Sequence, residues 1–523
     1  MFFTIEKFEK RVEELEHRRY FGMRSIAPFA AMPGDLPEDS HYHGAPPEQD
    51  SREWKEFGLN DFFVGRDRYL WLDKELTLPP AMEGCRVAGR FDFGETGGGN
   101  TNGFESLLYV DGHPYQGVDG NHREVLFKDR EGQAVRLTFL LWTGLEGGGP
   151  HRTFYHQCRQ AEVGYLHEKT DEFYYLAKSV TETLRVLSED DVNYAGLKAA
   201  LDRALLCIDW DSDGIWTTGG GHDFGEIWAA GDGHGTGETW VGAARAQAGF
   251  YASVGQALKV LTEELSRMEK QTDVTVHAVG HTHIDVAWLW RLKHTREKAQ
   301  RSFATVLRLM DEFDDYVFLQ TQPQLYQYIK EDCPEIYEGI RQKIREGKWE
   351  PDGGMWVESD CNIPSGESLV RQFLHGTRFI EREFGKKCEY LWLPDVFGYS
   401  WALPQILKLC EIDTFMTTKI SWNQYNTIPN DLFWWRGIDG TEVLTYFVNT
   451  PDEGRGMTDR FSTYSGHMTA RSILGSWKKF RNKDLSRETL IAYGYGDGGG
   501  GVNREMLMMR RAMDQTPGLP HVK

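Results

Sequence analysis

Positive charge is scarce in this sequence: 59 Lys and Arg stand against 79 Asp and Glu, a formal net charge of −20. Such a balance argues against a nucleic-acid partner and against an anionic membrane surface. Cysteine is sparse too. Its seven residues are scattered, odd in number and without a C-x-x-C pair, as expected of reduced thiols in a cytoplasmic protein. No basic, apolar leader opens the chain, because Met1 to Phe8 already mixes Glu and Lys. No apolar run reaches transmembrane length, and no internal repeat is visible. The glycine-rich tract at 94–103 lacks the G-K-[ST] ending of a phosphate loop, which leaves a surface loop or a sugar-contacting one.

What is present describes a large globular protein. At 523 residues, 40% hydrophobic and 13% aromatic, the chain is too long for one ordinary core, and two to four domains are expected. Seventeen tryptophans favour carbohydrate handling, although large cores also use them. Ile5, Phe8, Val12 and Leu15 recur at helical spacing and predict an opening helix. With the Pro- and Gly-rich residues to 66, that helix makes an N-terminal region of helix and irregular wrap, 1–66. Alternating runs at Tyr69–Leu72, Arg86–Phe93, Ser106–Val110 and Val135–Leu141, with an Asp111-Gly112 turn, predict a β-sandwich-like domain at 67–168. A helical region follows at 169–271, with helices near 171–187, 194–208 and 238–270 around an exposed glycine-rich loop.

From Val274 onward, short apolar runs alternate with helical segments. That pattern predicts a parallel sheet with crossover helices, open or closed, whose site lies at the carboxyl ends of the strands. Around VHAVGHTHIDVAWLW (276–290), His283 and Asp285 leave one face of an extended backbone, and together suit a divalent cation of the zinc type. Aromatic Trp288 and Trp290 follow, fit for the C–H faces of a sugar ring. Asp395 ends the run YLWLPD and Asp497 precedes four glycines in GYGDGGGG. Each alone reads as a cap or turn residue. Together at one face, they offer a metal-binding carboxylate that attacks carbon and a second that carries the proton, as in a retaining glycosidase.

Four segments, GHTHIDVAWLW, LWLPDVFGYS, TTKISWN and GYGDGGGG, closely resemble the α-mannosidases of glycoside hydrolase family 38. The last of them, with GVDGNHREVL at 117–126, resembles the cytosolic and bacterial branch. The resemblance implies an α/β fold with a seven-stranded β/α barrel catalytic domain at 272–523, a zinc ion (cobalt in some of this branch), and retaining hydrolysis of α-mannoside oligosaccharides. It implies metal ligands His283, Asp285 and Asp395, with Asp395 also the nucleophile. Trp288 would stack on the sugar at the cleaved bond, and Lys419 would sit against the nucleophile. Glu358, Asp360, Trp356, Trp422 and Asn423 would lie where family members contact substrate, with core packing the rival for the tryptophans. His281 would support the site from behind, while His375 and His467 read as surface or helix residues.

Asp497 is the candidate acid/base, expected about 5–5.5 Å from the nucleophile. Golgi and lysosomal members carry two successive aspartates at this point, and here the second position is Gly498. Family members take a fourth ligand, a histidine, from downstream of the barrel, so the chain is expected to be an N-terminal portion of a longer enzyme, with weak metal affinity, slow or absent turnover and a tendency to form homo-oligomers. His521, in a Pro-rich tail, is not expected to supply that ligand. Two rival readings remain at this stage. A zinc amidohydrolase would need histidines at later strand ends, and after residue 300 only His375, His467 and His521 exist. A non-catalytic carbohydrate-binding fragment would have no need of Asp395 and Asp497.

Overall fold

The computed structural model describes residues 4–34, 54–95, 104–146, 150–210, 248–270 and 272–523. Most of the glycine tract at 94–103, the predicted loop at 209–237 and the start of the helix expected at 238 lie outside them.

The opening helix, Thr4–Arg18, buries Phe8, Val12 and Leu15 at the spacing its sequence requires. Strands follow at once. Tyr20–Ser25 pairs antiparallel with Gln160–His167, and Phe29–Pro33 with Tyr69–Thr77. The region expected to be an irregular wrap therefore supplies strands to both sheets, with two more at Lys55–Phe57 and Phe62–Gly65. Its alternation is blurred by Gly22 in the left-handed region and by a register shift between Phe21 and Arg24. Two larger antiparallel sheets, of four and six strands, result, together with a separate two-stranded pair of Phe62–Gly65 and Phe154–Gln157. Phe91 of one meets Phe139 of the other with ring centroids 4.9 Å apart. At the hairpin, Val110 pairs with His113 across Asp111 and Gly112, both with positive φ (53° and 83°), as a type I′ turn demands.

Helices Glu168–Val186, Tyr194–Leu206 and Ala248–Ser266 come next. Buried Asp171 on the first binds Arg19 Nη1 at 3.0 Å and Arg504 Nη2 at 2.6 Å, and Arg504 Nε reaches Glu312 at 2.8 Å. These bonds join the N-terminus, the helices and the last third of the chain through one hydrogen-bonded charge network.

The rest is mixed α/β. Trp349–Glu350, Phe318–Leu319, Thr275–His281 and Glu488–Tyr493 lie side by side in that order, all parallel. Tyr390–Leu393, Thr414–Thr417 and Glu442–Phe447 form a second parallel set, edged by antiparallel Leu432–Arg436. A parallel bridge from Gly353 to Leu391 joins the sets on one side. On the other, Ala492 N donates to Thr450 Oγ1 at 3.1 Å and Leu490 N to Tyr446 OH at 2.9 Å. Leu319, Trp392, Val448 and Ala492, from four strands or their ends, share one buried cluster between the sets, with Val279 and Met416 packed on it. The lower edge of Thr275–His281 is taken by His521–Val522, where His521 N donates to Val274 O at 2.9 Å. His521 thus stands at the amino end of that strand, opposite the carboxyl ends.

One predicted helix is broken. Leu325–Glu346 divides into Pro323–Asp332 and Pro334–Arg345, because Pro334 has no N–H to give and its ring obstructs the preceding turn. Among the described residues no helix is long and apolar enough to cross a membrane.

Candidate active site

His283, Asp285, Asp395, Lys419 and Asp497 all follow the carboxyl ends of parallel strands. The loop carrying His283 is fixed to the loop carrying Asp497: His283 N donates to Gly496 O at 3.0 Å. Gly494 permits that approach. Its φ is 129°, and a Cβ there would stand 2.5 Å from His281 O.

His283 is buried, with its Nε2 3.2 Å from Asp285 Oδ1 and 3.9 Å from Asp395 Oδ2. Its Nδ1 bonds Glu358, whose other oxygen accepts from Thr321 Oγ1. Gln322 braces the arrangement, accepting from Glu358 N at 3.2 Å and donating to Ile284 O at 2.9 Å. Burial pushes the imidazole pKa down, but the charges of Glu358 and Asp285 outweigh it and raise it well above the usual histidine value.

Asp395 is held on its other side by the Lys419 ammonium and the Tyr464 hydroxyl. Burial first, and then the charge of Asp395, raise the Tyr464 phenol far above its ordinary value, so it donates as a neutral O–H. The Lys419 ammonium also lies 4.9 Å from the ring centre of Phe397 and 5.3 Å from that of Trp422. Asp497 differs. Its carboxyl pKa is pushed up, by desolvation first and then by the charge of Asp395, and its backbone N–H is held by Ser465 Oγ at 2.9 Å.

The remaining candidates divide. Trp288 is 55% exposed beyond Asp285, edge-on to Trp290 at 5.4 Å, free to meet a ring. Trp422 is partly exposed and anchored by Nε1 to Ser462 O at 2.8 Å. Asn423 Oδ1 caps the turn at Tyr425 and Asn426, and Asp360 Oδ1 that at Asn362 and Ile363. Trp356 donates to Gln324 at 3.1 Å and packs on Phe379. The Glu358 side chain is almost fully buried, and both its oxygens are taken by His283 and Thr321. An imidazole with one nitrogen facing the site needs an acceptor at the other. Buried His281 accepts from Trp392 Nε1 at 3.2 Å. Tyr464 and Phe397, the latter 73% exposed, were not singled out from the sequence.

The donor set fits a zinc-type ion. The His283 imidazole stands 3.2 Å from an Asp285 oxygen and 3.9 Å from an Asp395 oxygen, a nitrogen and two carboxylates of the kind zinc takes. A carboxylate sits behind the imidazole, as such ligands require. Among the described residues no group of three is yet drawn together as a cage, since Asp395 is turned towards Lys419.

A mixed α/β protein with histidine, aspartates and exposed aromatics at its strand ends is the class this geometry defines. Residues 273–523 match the model described as the glycosyl hydrolases family 38 N-terminal domain. Alpha-mannosidase 2C1 of Homo sapiens is 30% identical over 544 aligned residues, covering 99% of this chain and 46% of that protein. Alpha-mannosidase G of Dictyostelium discoideum is 42% identical over 261 residues, covering 50% of this chain and 23% of that protein. A solved structure of an alpha-mannosidase from Enterococcus faecalis V583 aligns with a TM-score of 0.38 and 18% identity, over 46% of this chain and 27% of that one. Residues 273–523 belong with the glycosyl hydrolase family 38 N-terminal domain. The chain spans less than half the length of these curated relatives.

Proposed function

We propose that this chain carries the catalytic part of a retaining α-mannosidase acting on oligosaccharides in the cytoplasm, with Asp395 as nucleophile and Asp497 as acid/base. The observation that carries the reading is the contrast between the two carboxylates. Asp395 is surrounded by Lys419, Tyr464 and His283, whereas the Asp497 proton affinity is raised. In the first step Asp395 attacks the anomeric carbon, the glycosidic bond breaks, and Asp497 gives its proton to the leaving oxygen. In the second step Asp497 takes a proton from water, whose oxygen displaces the Asp395 carboxylate and releases mannose. Lys419 and Tyr464 hold Asp395 pointed at the anomeric carbon, and Trp288 offers its exposed face to the ring. His283, Asp285 and Asp395 would hold zinc or cobalt, which when bound supplies a Lewis-acid anchor for vicinal sugar hydroxyls.

On the same reading the two parallel sets are one closed seven-stranded barrel at 272–523, and the two antiparallel sheets form a sandwich joined to it by the helical region at 169–271. The shared buried cluster and the bridge from Gly353 to Leu391 support closure. The deciding experiment is a panel of nitrophenyl glycosides, each with zinc, with cobalt and with a chelator, followed by NMR of the first-formed anomer. Release from the α-mannoside alone, with α-mannose formed first, is expected. Release of the β-anomer first, or activity centred on another sugar, rejects the assignment.

A further inference from the structure

A cavity of about 330 Å³ opens beside Asp497, and the reaction steps above leave it unused. One wall comes from the antiparallel part of the chain, at Glu105 and the Asp119–Asn121 turn. The other is the glycine loop 498–500, with His467 next to it. Helix Leu292–Glu312 contributes Lys298 and Arg301.

Charge and shape narrow the occupant. Lys298 Nζ is spent on Glu105, at 2.6 and 2.9 Å, and on Gly498 O at 3.3 Å, while Arg301 pairs with the same carboxylate. Asp119 is taken by His122 at 2.9 Å and by the Asn121 N–H at 2.7 Å. Carboxylates outnumber permanent cations around the space, and those cations are already paired, so phosphate, sulfate or a carboxylic acid would be repelled. Hydroxyl, amide, imidazole and backbone groups remain, close to the rings of Phe104 and Tyr495. Such a lining suits a neutral, polyhydroxylated ring, and the volume lies at the lower end of small-molecule sites, about 300–1,000 Å³.

Position adds direction. Asp497 forms the lip of the cavity and, in the proposed reaction, faces the leaving oxygen. We propose that this cavity is the subsite for the sugar on the leaving-group side of the cleaved bond, so that the N-terminal sheets select the substrate while the parallel sheets cleave it. The inference rests on the mannosidase reading.

Gly120 provides the test. A Cβ there would meet nothing within 4 Å, and its φ lies outside the left-handed region, so Gly120→Trp can enter the space without displacing backbone. Asn121→Ala is the milder variant, because the bonds of that residue to Asp119 and Asn503 are made by its backbone. Two substrates separate the halves of the site: α-mannosyl fluoride, which has no ring on the leaving side, and an α-linked mannobiose. Gly120→Trp is expected to lower kcat/KM for mannobiose by about tenfold or more, leaving the fluoride within about twofold, with Asn121→Ala following at about threefold. Equal losses on both substrates, or none on mannobiose, would overturn the subsite. If the unaltered chain turns over neither substrate, saturation-transfer NMR with mannobiose decides the cavity by itself. Saturation of the reducing ring that disappears in Gly120→Trp upholds it, and a reducing ring never saturated rejects it.

Discussion

Asp395 and Asp497 are the same residue type in the same topological place, two to four residues past the carboxyl end of a parallel strand. Their surroundings are opposite. The loop after Tyr390–Leu393 meets Lys419 from the neighbouring strand end and the Tyr464 hydroxyl, so Asp395 lies among donors. The loop after Glu488–Tyr493 is almost all glycine and brings no cation side chain of its own, so Asp497 feels desolvation and the charge of Asp395. Chemical role here follows from neighbours contributed by distant segments, not from the motif holding the carboxylate.

The strongest way to break this contrast is Asp395→Asn. An amide cannot form the glycosyl ester, and turnover is expected to fall by about 10⁴-fold or more with an unchanged circular dichroism spectrum. Near-normal rates would remove Asp395 as nucleophile. For Asp497→Ala the expected loss is about 10²–10⁴-fold on unactivated mannosides, and much less on mannosyl fluoride, whose leaving group needs no proton. In the unaltered protein, activity on unactivated substrates should decline as pH rises through the elevated Asp497 pKa. That alkaline limb should vanish in Asp497→Ala, and its persistence would assign the proton to another group.

Lys419→Met removes the cation beside Asp395 and is expected to cost about 10²-fold in kcat, since a partly buried carboxylate loses its charged partner. Single-turnover kinetics would locate the loss in formation of the intermediate; a change confined to KM would make Lys419 a substrate contact instead.

The smallest effect concerns stability. A carboxyl whose folded pKa is raised binds its proton more tightly folded than unfolded, which destabilises the fold above that pKa and has no effect below the unfolded value of about 3.9. Asp497→Asn should therefore raise the melting temperature slightly at neutral pH, the gain shrinking towards pH 4. Exposure of this side chain to solvent keeps the gain small. A lowered melting temperature at pH 7 would contradict the sign.

Strand-end motifs were legible because each is local: an apolar run, a break, then the functional side chain. His283, Asp395 and Asp497 could be located in this way, as could the hairpin at Asp111-Gly112. The position of Glu358 behind His283 could not, since 75 residues separate them and nothing in GMWVESD distinguishes a buried acceptor from a substrate contact. Tyr464 meets Asp395 across the sheet in the same manner. Trp349–Glu350 is too short for any periodicity to show. His467, which reads as a surface or helix residue, lines the cavity beside Asp497, because the helix expected from 465 begins only at Ala470.

Strand Thr275–His281 emerges early and waits for its neighbours. Its partner at Glu488–Tyr493 follows roughly 200 residues later, and the pair at His521–Val522 later still. At translation rates of about 5–20 residues per second, roughly 10–40 s pass before that edge can close. During this interval the nascent chain presents an apolar strand with one edge still unpaired, of the kind that recruits other strands. Synthesis slowed between residues 281 and 488 would lengthen the exposure, which makes the yield of soluble protein sensitive to codon choice in that interval.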